Sequence, residues 1–244
     1  MELSKNQIKL IRSLEQKKQR IKQKLFVAEG IKVVKELLSS SFVLEKLFVS
    51  SELALVFKNE NYQEIKATEL KKISMLKSPS GVLAVFKIPV EKEIKSNGLV
   101  LALDAVNDPG NLGTIIRLCD WFGIEQLVCS ENTVDCYNAK VVQATMGSLS
   151  RVNISYLPLE KYLRETKLPK FCTDMQGENV YKSKLPAEGV LVMGNEANGI
   201  SEAIVNCCTD TLSIPRFGIL KETESLNVAT ATAILLSEFK RNSL

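Results

Sequence analysis

LVLALDAVNDPGNLGTIIRLCDWF, residues 99–122, is the stretch that decides the fold. Its first six residues, LVLALD (99–104), form a short apolar run that ends in polar and turn-forming residues, which reads as a fully buried strand. Pro109-Gly110 then makes a tight turn, Asn111 lies just before a helix, and Gly113 allows close backbone approach. From there Ile115, Leu118, Cys119 and Phe122 recur at i, i+3, i+4 and i+7, so the spacing predicts a helix over 113–122. Strand, polar loop and helix in that order are the repeating unit of a parallel sheet.

The same unit recurs downstream. QLVCS (126–130) precedes a helix at 138–147. VNISYL (152–157) is followed by a short helix near 160–165, then by strands KFCTD (170–174) and VLVMG (190–194). A helix at 201–207, strand TLSIP (211–215) and a final helix complete the series. This alternation predicts an α/β domain with a mostly parallel sheet covered on both faces. Upstream the pattern differs. A basic helix at about 4–21 leads through FVAEG into a helix at about 30–40. Strand LEKLFVS (44–50), a mixed stretch at 52–76 and strand GVLAVFKI (81–88) follow. Pro89 and the charged run 90–98 read as a linker, which divides the chain into a small α/β domain at 1–91 and a larger one at 95–244.

Composition excludes several chemistries. The chain has no histidine, so no Ser-His-Asp or Cys-His scheme is available. Its six cysteines, Cys119, Cys129, Cys136, Cys172, Cys207 and Cys208, contain no C-x-x-C pair, so neither a metal site nor a disulfide framework is expected. No apolar run approaches membrane-spanning length and the N-terminus is polar, which points to a cytoplasmic protein. Neither G-x-G-x-x-G nor a P-loop is present, so an ordinary dinucleotide or NTP site is not supported.

Charge is concentrated at the start. Residues 1–24 carry Lys5, Lys9, Arg12, Lys17, Lys18, Arg20, Lys22 and Lys24 against Glu2 and Glu15, whereas the whole chain is only +4. Most basic helical runs are solvated faces. The functional reading of Lys5, Lys9, Arg12, Lys17, Lys18 and Arg20 is a set of phosphate contacts to a nucleic acid.

In open parallel sheets ligands bind beyond the carboxyl ends of the strands, and three loops occupy that position. The first runs from Asp104 to Arg117. Arg117 falls off the core stripe of its helix, towards the loop, and its plain structural role is a pair with Asp120 or stacking on Trp121. The second, MGNEANGIS (193–201), places Asn195 and Glu196 directly after a buried strand, with a helix cap at Ser201 as the plain reading. The third, IPRFGILKETESLNV (214–228), brings Ser225 and Asn227 to the mouth of the last helix. Val228, Ala229, Ala231, Ala233, Ile234, Leu235, Leu236 and Phe239 make that helix apolar almost all round. It must be buried by the core or by a second subunit, and Thr223 or Ser225 is its plain cap.

Together these loops resemble the three signature motifs of the SpoU (TrmH-type) branch of the SPOUT RNA methyltransferases. The first motif stands here as Asn107, Asp108, Pro109, Asn111, Gly113 and Arg117, ending in Trp121-Phe122-Gly123. The second stands as Met193, Gly194, Asn195, Glu196, Gly199 and Ile200. The third stands as Ile214, Pro215, Gly218, Ser225, Leu226, Asn227 and Val228. ATMGSLSRV (144–152) resembles the intervening segment. The likeness covers about 98–244, and residues 1–90 resemble more loosely the ribosomal-protein-like domain of the ribosomal-RNA members. Ala197 stands where the family usually has glycine, Arg216 where methionine is common, and the spacer from Pro215 to Ser225 is longer.

The resemblance implies transfer of methyl from S-adenosylmethionine to a ribose 2′-hydroxyl, on a SPOUT domain with a C-terminal trefoil knot. It implies that Met193, Gly194, Asn195, Glu196, Ile214, Pro215, Gly218, Leu226 and Asn227 hold the cofactor. Arg117, Asn111, Glu196, Ser225 and Asn227 carry catalysis, with no metal. Family proposals make Arg117 the general base; its chemistry suits it better to clamp a phosphate and stabilise the oxyanion, and suits Glu196 to order its loop or orient Arg117. It implies a homodimer, built in part by the final helix and the helix at 138–147. The extra N-terminal domain favours large-subunit ribosomal RNA over transfer RNA. A non-catalytic RNA-binding protein of the same fold is the competing reading, and intact motifs weigh against it.

Overall fold

The computed structural model describes residues 2–94, 97–218 and 225–241, which form two compact units. The first joins Met1–Val90 to Asp135–Ser150, and the second joins Glu91–Val134 to Arg151–Leu244. Residues 135–150, placed by the sequence reading in the larger domain, therefore fold with the smaller one.

In the first unit α1 (Lys5–Ser13) starts from a capping box, in which Ser4 Oγ accepts from the Gln7 N–H and the Gln7 side chain accepts from the Ser4 N–H. The expected single helix at 4–21 is instead two, α1 and α2 (Lys17–Gln23). A four-stranded sheet runs in the order β1 (Leu25–Glu29), β4 (Val82–Lys87), β2 (Leu44–Ser50), β3 (Gln63–Ile65). β1 and β2 both pair antiparallel with β4, and β3 pairs parallel with β2. α3 (Ile31–Leu38) and α4 (Ala67–Ile73) supply further cover. Ile11, Leu14, Phe48, Leu70 and Ile73 close one core cluster with Val27 and Val85.

α6 (Ala139–Thr145) packs on β1, burying Val141 and Val142. Tyr137 lies 4.9 Å from the Phe26 ring. Arg20, 2% exposed, sits inside this unit. Its guanidinium donates to Asp135 Oδ2 at 2.8 and 2.5 Å and to the carbonyls of Leu14 and Glu15. Arg20 is thus a structural cation, committed away from solvent, which overturns its expected place among the phosphate contacts. α6 likewise commits its apolar face to β1.

The second unit holds a six-stranded sheet, β10 (Asp210–Ser213), β8 (Lys170–Asn179), β9 (Gly189–Met193), β5 (Leu99–Leu103), β6 (Gln126–Ser130), β7 (Asn153–Leu157), with every neighbouring pair parallel. β5, β6 and β9 are buried throughout. α7 (Leu159–Glu165) and α8 (Glu202–Val205) lie against one another, and α9 (Val228–Lys240) packs on α5 (Pro109–Trp121). Chain order runs outward from β5 to β7 on one side and through β9, β8 and β10 on the other. The order therefore reverses between β5 and β9, the point at which such sheets hold ligands. β8 is longer than the sequence suggested. Its Cys172 pairs with Thr211 and its Glu178 with Leu212, so residues 173–177 bulge from the ladder. Gly177 is required there, since a Cβ would lie 2.7 Å from the Thr211 carbonyl oxygen.

Removing one partner of the Arg20–Asp135 pair strands a buried charge. Arg20→Ala and Asp135→Ala should each destabilise by roughly 3–5 kcal/mol, and the double variant by less than their sum. Urea unfolding of the full chain measures both.

Candidate functional site

α5 begins four residues earlier than its apolar stripe indicated, because Asp108 caps it and Pro109 occupies its first position. Asp108 Oδ1 accepts from the Asn111 N–H at 2.8 Å. The start of this helix lies beside the end of β5, where Ala105 has a left-handed backbone (φ 55°). Ser130 Oγ accepts from the Ala105 N–H at 2.9 Å, and the Ala105 carbonyl accepts from Asn195 Nδ2 at 2.7 Å. Buried Asp104 receives the Ser201 N–H at 2.8 Å. These contacts lock the loop after β5 to the loop after β9. Sequence reading passed over Asp104, although a carboxylate ending a buried strand must find a donor.

The loop after β9 is a closed turn. Asn195 and Gly199 exchange two main-chain hydrogen bonds of 2.9 Å. Asn195 Oδ1 also accepts from the N–H groups of Ala197 and Asn198. A Cβ on Gly194 would lie 2.3 Å from the Gly199 carbonyl carbon, so only glycine fits. Position 197 carries no such demand, because its φ is not positive, and alanine is accommodated.

Across this turn runs a directed chain of hydrogen bonds. Asn227 caps α9, its Oδ1 accepting from the N–H groups of Ala229 and Thr230. Its Nδ2 donates to Asn111 Oδ1 at 2.9 Å, and Asn111 Nδ2 donates to Glu196 Oε1 at 2.7 Å. Asn111, Glu196 and Asn227, one from each loop, therefore meet. The α9 cap is Asn227, not Ser225, which is exposed, and Thr223 lies outside the described residues. Glu196, expected to order its loop or orient Arg117, bonds to Asn111 and makes no bond to Arg117 among the described residues.

The remaining candidates are placed as follows. Met193 ends β9 and is buried, Ile214 and Pro215 are half-buried beyond β10, and Gly218 and Leu226 are exposed. Arg216 donates to Met175 Sδ on the β8 bulge. Arg117 is exposed and makes no hydrogen bond or ion pair with a described residue. Asp120, its expected partner, pairs with Arg151 at 2.8 Å. Among the described residues no group of His, Cys, Asp or Glu could hold a metal ion, and no helix is long and apolar enough to cross a membrane.

Residues 98–237 match the SpoU rRNA Methylase family, and residues 5–84 match the MRM3-like substrate binding domain. The chain belongs to the SpoU rRNA methylase family. It is 31% identical to the 23S rRNA (guanosine(2553)-2'-O)-methyltransferase RlmP of Bacillus subtilis, over 97% of each chain. Among solved structures it resembles a putative TrmH-family RNA methyltransferase from Porphyromonas gingivalis, with TM-score 0.89, 37% identity and 99% of each chain covered. An AdoMet-bound rRNA methyltransferase from Sinorhizobium meliloti superposes with TM-score 0.84 at 28% identity, over 100% of this chain and 97% of that one.

The hydrogen-bonded chain makes a measurable claim. Asn227→Ala removes a helix cap and should destabilise by about 1–2 kcal/mol. Asn227→Asp keeps the cap but cannot donate to Asn111. A double-mutant cycle between Asn111→Ala and Asn227→Ala should return a coupling of about 0.5–3 kcal/mol, read from urea unfolding.

Proposed function

We propose that this protein transfers a methyl group from S-adenosylmethionine to a ribose 2′-hydroxyl of large-subunit ribosomal RNA. The observation that carries the reading is the meeting of Asn111, Glu196 and Asn227, one from each motif, where the sheet order reverses. The loops there suit such a cofactor. They offer main-chain groups packed as tightly as Gly194 on Gly199 and, among the described residues, no lysine or arginine cluster of the kind a triphosphate requires.

Met193, Gly194, Asn195, Ile214, Pro215, Gly218 and Leu226 would hold the cofactor, chiefly through main-chain groups. Bound there, it supplies an electrophilic methyl on a sulfonium. The chain's task is to align a weakly acidic hydroxyl with that methyl and to stabilise the developing oxyanion. Arg117 is the group for this work. Its exposed guanidinium can grip the adjoining phosphate bidentately while lending charge to the oxyanion. It acts by electrostatics and not as a base. Glu196 and Asn227 act on the loops, by fixing Asn111. Ser225, exposed before the α9 cap, is placed as a further donor.

The C-terminal segment is read as knotted, and the functional unit as a cytoplasmic homodimer. Support for the dimer comes from Met175, Phe217 and Leu226, all exposed on or beside the C-terminal loop, and from the half-buried Ala231, Ala233 and Ile234 of α9. Residues 1–91 are read as the RNA-binding domain, with Lys5, Lys9, Lys17 and Lys18 exposed. Arg12 is exposed too, but directs its guanidinium to the Ser74 carbonyl.

Calorimetry in chelator should detect S-adenosylmethionine binding, and no binding at millimolar cofactor would overturn the reading. Arg117→Ala should lower methyl transfer by about 10²–10³-fold while cofactor affinity stays within a few-fold. Asn111→Ala should weaken both, because Asn111 also holds Asn227.

The salt dependence of RNA binding tests the N-terminal reading. Truncation near residue 94 would leave Val141 and Val142 without their β1 partner, so point substitutions are the cleaner probe. Lys5→Gln, Lys9→Gln and Lys18→Gln together should flatten the log–log salt slope by roughly 2 to 3.

A further inference from the structure

The chain has one tryptophan, and it lies in water. Trp121, in the last turn of α5, is 83% exposed. An indole normally buries a large area, so an unshielded one marks a contact surface more strongly than an exposed Leu or Val does. Its position on the helix gives that surface a chemistry. Thr114, Arg117 and Trp121 follow one another at i, i+3 and i+7, all exposed, along one line of α5. The first turn of the helix carries Asn111, inside the candidate site, and Trp121 stands ~15 Å further along the axis from Asn111. Arg117 stands between, without a partner among the described residues. Asp120, the carboxylate one turn on at i+3, is paired with Arg151 at 2.8 Å, so among the described residues no ion pair competes with an anion at Arg117.

A cation followed one turn later by an open aromatic face matches the phosphate and base of a nucleotide. It matches a second protein surface poorly, since only one large apolar group is offered. We propose that Trp121 is a stacking platform for an unpaired RNA base that flanks the methylated nucleotide, with Arg117 on the intervening phosphate. This rests on the ribose-methylation reading and adds a specificity-determining residue to it. At ~15 Å from Asn111, Trp121 meets a neighbour of the target nucleotide rather than the target itself. It therefore acts on RNA affinity and choice of site, and not on the reacting atoms.

Because Trp121 is the only tryptophan, its fluorescence reports this contact alone. The experiment titrates the full-length protein with a short oligoadenylate, and with an abasic ribose-phosphate strand of equal length. Oligoadenylate should quench the emission at saturation, whereas the abasic strand should bind without quenching. Trp121→Ala should weaken oligoadenylate binding by roughly 5- to 150-fold and raise KM for deproteinised ribosomal RNA with little change in kcat, and Trp121→Phe should restore most of both. Unchanged emission at saturating RNA, or equal KM in Trp121→Ala, overturns the proposal. So does emission that shifts on dilution of the protein alone, with loss of the oligomer in Trp121→Ala, because the surface then belongs to a second copy. Wild-type methyl transfer to ribosomal RNA with a silent Trp121 defeats this inference only. Absence of any transfer defeats the functional reading beneath it.

Discussion

Asn111 is the residue on which the site's geometry depends. Its amide has one acceptor and one donor end, and both are assigned by neighbours far away in sequence. Asn227 must turn its oxygen to the unpaired N–H groups that open α9, which leaves its nitrogen facing Asn111. Asn111 answers with its oxygen and presents its nitrogen to Glu196. Polarity therefore runs from the positive end of a helix to a carboxylate, and each bond favours the orientation of the next. The partners lie 116 and 85 residues from Asn111, so the chain closes only once the sheet has assembled. Losing any member releases three loops at once.

The smaller unit depends on a comparable device. Residues 135–150 leave the sequence of the larger unit between β6 and β7 and return to it, having contributed α6, Tyr137 and Asp135 to the smaller one. Burial of Arg20 is tolerable only because Asp135 and two carbonyls satisfy its donors. The close fit continues along the segment. A Cβ on Gly147, whose φ is 102°, would lie 2.5 Å from Glu36 Cβ. The chain thus crosses between units at 90–91, 134–135 and 150–151.

The legible parts of this fold are those whose signal is local. The buried strands LVLAL, QLVCS and GVLVM announce themselves by continuous apolar runs, and the motif loops by their turn chemistry. What escaped needed a distant partner or a finer local rule. β1 was read only as a lead-in to a helix, because FVAE is too short to distinguish from a helix start. β3, QEI, has three residues and a polar majority. The break between α1 and α2 carries no proline or glycine. The start of α5 was legible in principle, since Asp-Pro is a cap followed by a first-turn proline, but the Pro-Gly pair suggested a turn instead. Arg20 in a run of surface cations could not be told from its neighbours without Asp135, 115 residues away.

Among the site residues the legible feature was membership, and the illegible one was connection. Sequence placed Asn111 and Arg117 together as donors to the substrate, six positions apart on one helix. The structure separates them. Asn111 has both ends of its amide engaged, so a ligand could recruit it only by breaking a bond to Asn227 or Glu196. Arg117 has no such bond to give up among the described residues. A group that must hold loops in place gains from being satisfied before the ligand arrives, since every unmade bond would leave the loop free to rotate. A group that must meet a phosphate gains from being unsatisfied, since any internal carboxylate partner would have to be displaced first, at the cost of a charge-assisted hydrogen bond. Arg151 matters for this reason. By occupying Asp120 it removes the carboxylate at i+3 from Arg117, and so keeps the Arg117 face of α5 cationic.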